Sequence, residues 1–254
     1  MAVFFAFFLG LVFGSFINVL IWRLDKNEKL VWARSKCTHC SRRLGFFDLI
    51  PVINFLFLRG QCRYCHGKIN WQYPLVEIAC GLGFLAIAYW VEGGWNGKIW
   101  LAGLFFLGLA IFVYDLKYLL IPNSFIVAGL IWILAWVFFL SQVDLVSRLI
   151  GGLIGGAMLF SFFFFLYLAS SGTWIGGGDV KLGFILGLLL GWQLGLVALF
   201  TAYILGAVIG VALILLKRFS FKSQVPFGPF LILGTVIALV WGQEIFRWYT
   251  NLIL

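Results

Sequence analysis

Residues 176–216 read GGGDVKLGFILGLLLGWQLGLVALFTAYILGAVIGVALILL, and apart from Asp179 and Lys181 near one end the run carries no charge. A helix that crosses a bilayer needs about 20 predominantly apolar residues, so the stretch is read as two successive spans, 180–192 and 195–216. The first is short, which leaves a re-entrant segment open between them. Further apolar segments at 2–22, 75–91, 99–115, 123–141, 145–169 and 228–246 bring the expected count to about eight transmembrane helices.

Composition points to the same solvent. Of 254 residues, 63% are hydrophobic, 19% aromatic and only 11% charged, with a mean hydropathy of +1.08. So few charges cannot cover a water-facing surface, which excludes an ordinary soluble domain and predicts an all-α polytopic membrane protein. The opening MAVFFAFFLGLVFGSFINVLIW lacks a basic n-region and a small-residue cleavage site, so it is read as an uncleaved first helix. The organisation that follows is a first helix at 1–22, a polar cytoplasmic loop at 23–74 and a membrane-embedded core at 75–254. No internal repeat is evident.

The net charge of +9 sits mostly in that loop, where ten basic residues face Asp25, Glu28 and Asp48. Basic residues are retained on the cytoplasmic side of membranes. Starting outside, the chain places Arg23 to Lys68, Lys117, Lys181, Lys217, Arg218 and Lys222 inside, 15 of the 18, and leaves Lys98, Arg148 and Arg247 outside. Topology therefore accounts for the charge without nucleic acid, and contact with anionic membrane lipid is the expected use of it.

The loop also holds CTHC and CRYC, whose Cys37, Cys40, Cys62 and Cys65 have zinc-ribbon spacing. A disulfide pair is the alternative, but a cytoplasmic loop is in a reducing compartment, which favours metal. Four thiolates close a tetrahedral site and leave no open position, so zinc here would fold the loop and perform no chemistry. His39 and His66 could substitute as ligands, although solvated loop histidines are the expectation. Cys80, alone in an apolar segment, is read as a packing residue.

The acids separate by topology. Glu92 and Asp144 fall in outside loops and Glu244 near the C-terminal membrane edge, leaving Glu77, Asp115 and Asp179 at cytoplasmic helix ends. An aspartate at mid-membrane costs about 2.5–3.5 kcal/mol, so acids near that depth face an interior or a wet cavity. Two carboxylates at one depth on different helices are the equipment of an aspartic peptidase, in which one accepts a proton from water and the other donates to the scissile carbonyl. A helix cap, or an ion pair with Lys117 or Lys181, is the alternative for each. The GGG before Asp179 offers backbone freedom and close approach to an extended peptide, or tight helix packing.

These residues resemble the prepilin leader peptidases, membrane aspartic peptidases of the GxGD type. The likeness is carried by Asp115 with Ile121 and Pro122, and by Gly176, Gly178, Asp179 and Lys181 in the GxGD-x-K-L motif. GSFINVLIWRL, DLIPV, LRGQCRYC, YPLVE and PFGPF (226–230) are similar to further family blocks, in order along nearly the whole chain. It departs at Asp25, Asn54 and Gln72, where the family often has proline, serine and arginine.

The resemblance implies catalytic Asp115 and Asp179, with Gly176, Gly178 and Lys181 supporting them. The substrates it implies are type IV prepilins or pseudopilins, cut at the cytoplasmic face of the bacterial inner membrane, where the enzyme is multi-pass. It also implies N-methylation of the new N-terminus with S-adenosylmethionine, to which Glu77 is a candidate contributor. Against it stand a membrane scaffold that uses the zinc loop and a proton-coupled transporter, neither of which explains acids, glycines and loop motifs together.

Overall fold

The computed structural model describes residues 2–26, 35–140, 145–217 and 224–253. Asp144, Glu28, Lys29, Arg34, Arg218 and Lys222 lie outside the described residues. Helices dominate: α1 (Ala2–Asp25), α2 (Ile53–Phe57), α3 (Gln72–Trp90), α4 (Trp95–Tyr118), α5 (Asn123–Ala135), α6 (Leu145–Ala169), α7 (Gly177–Leu215) and α8 (Gly228–Ile253). Two compact units result, Met1–Ala110 and Ile111–Leu254.

Among the described residues, six helices are long and apolar enough by themselves to cross a membrane, and a shorter apolar helix covers Asn123–Phe138. The expected span at 123–141 is a 13-residue α5 followed by a π-helical turn, Trp136–Leu140. At 1.5 Å per residue α5 alone is about 20 Å long, and the π-helical turn extends the same helical path toward the roughly 30 Å of the hydrocarbon core. The expected pair at 180–192 and 195–216 forms the two arms of α7, separated at one residue, Gly191, with φ 73° and ψ −179°.

That interruption reverses the chain. A Cβ placed on Gly183 would stand 3.6 Å from the Leu159 carbonyl, and one on Gly195 would stand 3.5 Å from the Leu159 side chain. In a straight helix Gly183 and Gly195 would be about 18 Å apart, too far for one residue of α6 to meet both. Phe162 likewise pairs with Tyr203, while the neighbouring Phe163 lies against Gly183. α7 is thus a helical hairpin whose two arms run beside α6, and glycine is required at its bend because φ there is positive.

Small residues set the spacing. Gly183, Gly187, Gly191 and Gly195 recur every fourth position, and Gly187 abuts the backbone of Gly155 while Leu188 abuts Gly152. Without a hydrophobic drive between helices in lipid, such close backbone approach is what gives packing energy. In the first unit Gly10 and Gly14 do the same for α1 against Cys80 and Glu77 of α3, where a Cβ would approach to 2.6 Å. Cys80 is fully buried in that seam, as a packing residue should be.

Candidate active site and cysteine cluster

Asp115 opens the last turn of α4, and Asp179 lies in the first turn of α7. Both are buried. The chain between α4 and α5 passes Ile121, whose side chain would lie 3.1 Å from a Cβ on Gly178 and 3.4 Å from one on Gly228. One residue therefore touches both the GxGD turn and the start of α8, and the two acids are brought within electrostatic reach of each other.

Each acid has one oxygen held by a backbone donor. The Gly228 N–H donates to Asp115 Oδ2 at 3.0 Å, and the Gly176 N–H donates to Asp179 Oδ2 at 3.2 Å. The Asp179 N–H returns to the Gly176 carbonyl at 3.1 Å, so this acid does cap its helix with one oxygen. The capping and catalytic readings are compatible, since the second oxygen stays outside the box. Both donors lie at helix N-termini, where the dipole favours negative charge.

The lysines take other partners. Lys181 donates to Asn123 Oδ1 at 2.9 Å, tying α7 to the start of α5, and Lys117 lies over the Tyr118 ring at 5.0 Å. The three consecutive glycines also differ from expectation: none has a positive φ, and Gly176 is extended at φ −76°, ψ 151°. Their use is space. Gly178 accommodates Ile121, and a Cβ at Gly177 would meet nothing within 4 Å, which leaves that backbone open to an approaching chain.

Two participants escaped sequence reasoning. Gly228 was visible only as part of PFGPF; the signal for its role is the Gly-Pro pair that starts a helix, with proline at an early position whose N–H is dispensable. A Cβ at Gly228 would stand 2.6 Å from Asp115 Oδ2, so this site tolerates no side chain. Tyr203, twelve residues past the α7 bend, feels the Asp179 charge and packs on Phe227 with ring centroids 4.9 Å apart. Only the reversal at Gly191 brings it there.

In the first unit the four cysteines converge. Their Sγ atoms all lie within 4.8 Å of one another, and Cys37 and Cys65 are 3.8 Å apart. A disulfide needs about 2.05 Å, whereas tetrahedral zinc with 2.3 Å bonds places sulfurs about 3.8 Å apart, so the donor set fits zinc. All four thiols are free. The Gly67 N–H lowers the Cys65 thiol, but desolvation and the crowded thiols of Cys40, Cys62 and Cys37 raise it, for a net value of about 11. Four thiols this close need a cation before they can all ionise.

The cluster is built from two near-copies offset by 25 residues, a local repeat not anticipated from the sequence. Cys37 N–H to Arg42 O is matched by Cys62 N–H to Gly67 O, Ser41 N–H to Cys37 O by His66 N–H to Cys62 O, and the bridge Lys36–Arg43 by Gln61–Lys68. Ser41 and His66, each just after its second cysteine, share φ near 55°. His39 stays outside the thiol cluster, with Nε2 3.2 Å from the Lys68 carbonyl.

Glu77 is buried in α3. It accepts a hydrogen bond from the Val52 N–H at 2.7 Å and meets Ser15 of α1. Beside it Asn18 donates to the Tyr73 carbonyl at 3.1 Å and accepts from Gln72 at 3.3 Å.

Residues 8–91 match the family described as Bacterial Peptidase A24 N-terminal domain, and residues 101–211 match the Type IV leader peptidase family. The chain is 32% identical to a prepilin leader peptidase/N-methyltransferase of Aeromonas salmonicida (strain A449), over 98% of this chain and 94% of the relative. To the protein of that name in Bacillus subtilis (strain 168) it is 31% identical, over 98% of both. To the one in Pectobacterium carotovorum subsp. carotovorum it is 33% identical, over 91% of this chain and 90% of the relative. No solved structure matches the chain.

Proposed function

Because this chain belongs to the type IV leader peptidase family, we propose that it cleaves the leader peptide from type IV prepilins or pseudopilins with Asp115 and Asp179 as its catalytic acids, and N-methylates the new N-terminus. The carrying observation is that two buried carboxylates on separate helices are each held by one glycine N–H, at 3.0 Å and 3.2 Å, and joined through Ile121. Like charges resist joint ionisation, so the pair shares one proton.

The ionised acid takes a proton from water as the oxygen attacks the scissile carbonyl. The protonated acid donates to the carbonyl oxygen; as the tetrahedral intermediate collapses, the first acid passes the proton taken from water to the leaving nitrogen and the second takes one back from a hydroxyl, releasing the leader's carboxyl group and the new amine. Gly176 and Gly178 keep the Asp179 turn narrow, and the open face at Gly177 receives the extended substrate backbone. Lys181 braces that turn against α5 through Asn123. Tyr203 and Phe227 form an aromatic wall on one side of the acid.

Zinc would be held by Cys37, Cys40, Cys62 and Cys65 and would supply structure alone, since four protein ligands complete its tetrahedron. S-adenosylmethionine is the methyl donor substrate. Glu77 supports the first unit by holding the loop at Val52. The enzyme is placed in the bacterial inner membrane with the loop and both acids at the cytoplasmic side, on the balance of basic residues.

The test is a cleavage assay with detergent-solubilised enzyme and a prepilin, following leader and mature product by mass. Asp115→Asn and Asp179→Asn preserve size and remove the proton-transferring group, so each should insert normally and lose on the order of 10³-fold or more in rate. Glu92→Gln, in an exposed loop, should cut as the parent does. Substantial cleavage by either well-inserted asparagine variant would return both acids to the role of helix caps.

A further inference from the structure

We infer that the segment Phe46–Phe57, inside the cysteine-rich loop, is a membrane-embedded element that lies among the headgroups and outer acyl chains beside α1 and α3. The inference rests on α1 and α3 crossing a bilayer and is independent of the peptidase reading.

Depth is the first observation. Val52 N–H is bonded to Glu77, five residues into α3, or about 7 Å from its first residue. The same carboxylate meets Ser15, ten residues before the end of α1 and so about 15 Å from that helix's polar terminus. Measured along either helix, the loop backbone at Val52 is below the rim of the apolar segment. Irregular backbone at that level requires internal partners. Glu77 supplies one to Val52, whose φ of 60° and ψ of −50° are costly for a β-branched residue, and Asn54 Nδ2 supplies another to the Asp48 carbonyl at 2.7 Å.

The surface is the second. Phe46, Phe47, Leu56 and Phe57 are 82%, 71%, 65% and 83% exposed, and no residue of the 3₁₀ turn Phe46–Leu49 or of α2 is buried. A loop solvated on all sides would turn such side chains inward. On α3, Leu75 and Ile78, which flank Glu77 in the sequence, are exposed as well. Trp71, exposed at the start of α3 and packed on Phe55 with centroids 4.9 Å apart, occupies the aromatic-belt position of an interfacial residue. Arg42 and Arg43 precede the segment and Arg59 and Arg63 follow it, so cations flank the apolar stretch at both ends, the pattern that binds anionic headgroups. Buried Glu77 thereby acquires a reason: it completes the backbone of a segment that water does not reach.

The experiment uses the full chain in nanodiscs of phosphatidylethanolamine and phosphatidylglycerol. A photoreactive benzoylphenylalanine is placed at Phe46 or Phe57 and, for comparison, at Ser41 on the polar first knuckle, and adducts are identified by mass. Lipid adducts several-fold more abundant at 46 and 57 than at 41 are expected. Adducts to protein in place of lipid when prepilin is added, or no excess over Ser41, would overturn the inference. Should a substituted chain fail to accumulate, hydroxyl-radical footprinting of the unsubstituted protein decides: Phe46, Phe47 and Phe57 should be protected in nanodiscs, and oxidation at the level of Tyr64 would overturn it.

Discussion

The cysteine cluster and the aspartate pair both hold a few reactive side chains in fixed register, by opposite means. Around the thiols, from Lys36 to Ile69, Cys62 is the only buried hydrophobic residue, and geometry comes from two short hydrogen-bonded knuckles that converge on one point. Around Asp115 and Asp179 the backbone is helical and the neighbours are buried: Tyr114, Val180, Leu182, Phe230 and Leu231. A small loop without a core needs a central ligand to become rigid, whereas acids in a helix bundle are positioned by how closely backbones approach. The first kind of site fails when its ligand is removed, the second when a glycine gains a side chain.

The sharpest way to break that contrast, after loss of the acids themselves, is Gly228→Ala. Its Cβ would occupy space 2.6 Å from Asp115 Oδ2, so the carboxylate must move although its chemistry is intact. A displacement of about 1 Å costs on the order of 100-fold in rate, so kcat should fall by that amount with KM nearly unchanged. A steady-state titration of prepilin reads both. Wild-type kcat would mean that helix packing does not position the acid.

Metal removal should affect the other region and spare this one. Purified protein should carry about one zinc per chain by elemental analysis. Chelation, or Cys62→Ser, should abolish amide-exchange protection at the Cys37, Cys62 and His66 N–H groups while α6, α7 and α8 stay protected. Cleavage should fall by no more than several-fold. Loss of protection in both regions together would show that the two sites are not independently built.

The smallest effect is expected from Glu77→Gln. Glutamine keeps an acceptor for the Val52 N–H but loses the charge that strengthens the bond, a difference of about 1 kcal/mol. Exchange at the Val52 amide should quicken roughly fivefold, with cysteine knuckles and cleavage unchanged. An unchanged exchange rate would mean that Val52 is held by its turn and not by the carboxylate.

Much of the candidate site was legible because its chemistry is local or compositional. Asp179 opens a helix with glycines on one side and apolar residues on the other, and the cysteines come in pairs two apart, so spacing alone marks them. Asp115 was legible as a charge at the end of an apolar run. Gly228 and Tyr203 were not, since each joins the site through a partner more than twenty residues away, and nothing in PFGPF or FTAYI states which carboxylate it will face. The 25-residue likeness of the two knuckles was hidden because only the cysteines coincide in identity, while the match is in hydrogen bonds and in the φ of Ser41 and His66.

By itself the sequence determined the solvent, the helical class, the four-thiol donor set and the two candidate acids, because apolar content, charge placement and motif spacing act through near neighbours and through the bilayer. Only the tertiary structure decided where the apolar segments stop and bend, such as the 13-residue α5 continued by a π-helical turn at Trp136–Leu140, since hydropathy marks where a segment is apolar and not where its helix ends. It alone narrowed the turn between the two expected spans at 180–192 and 195–216 to one residue, Gly191, because a single positive φ leaves no trace in hydropathy. The reversal sets Tyr203 beside Asp179, and the start of α8 supplies Asp115 with its donor; both depend on backbones meeting at distances that only packed helices fix.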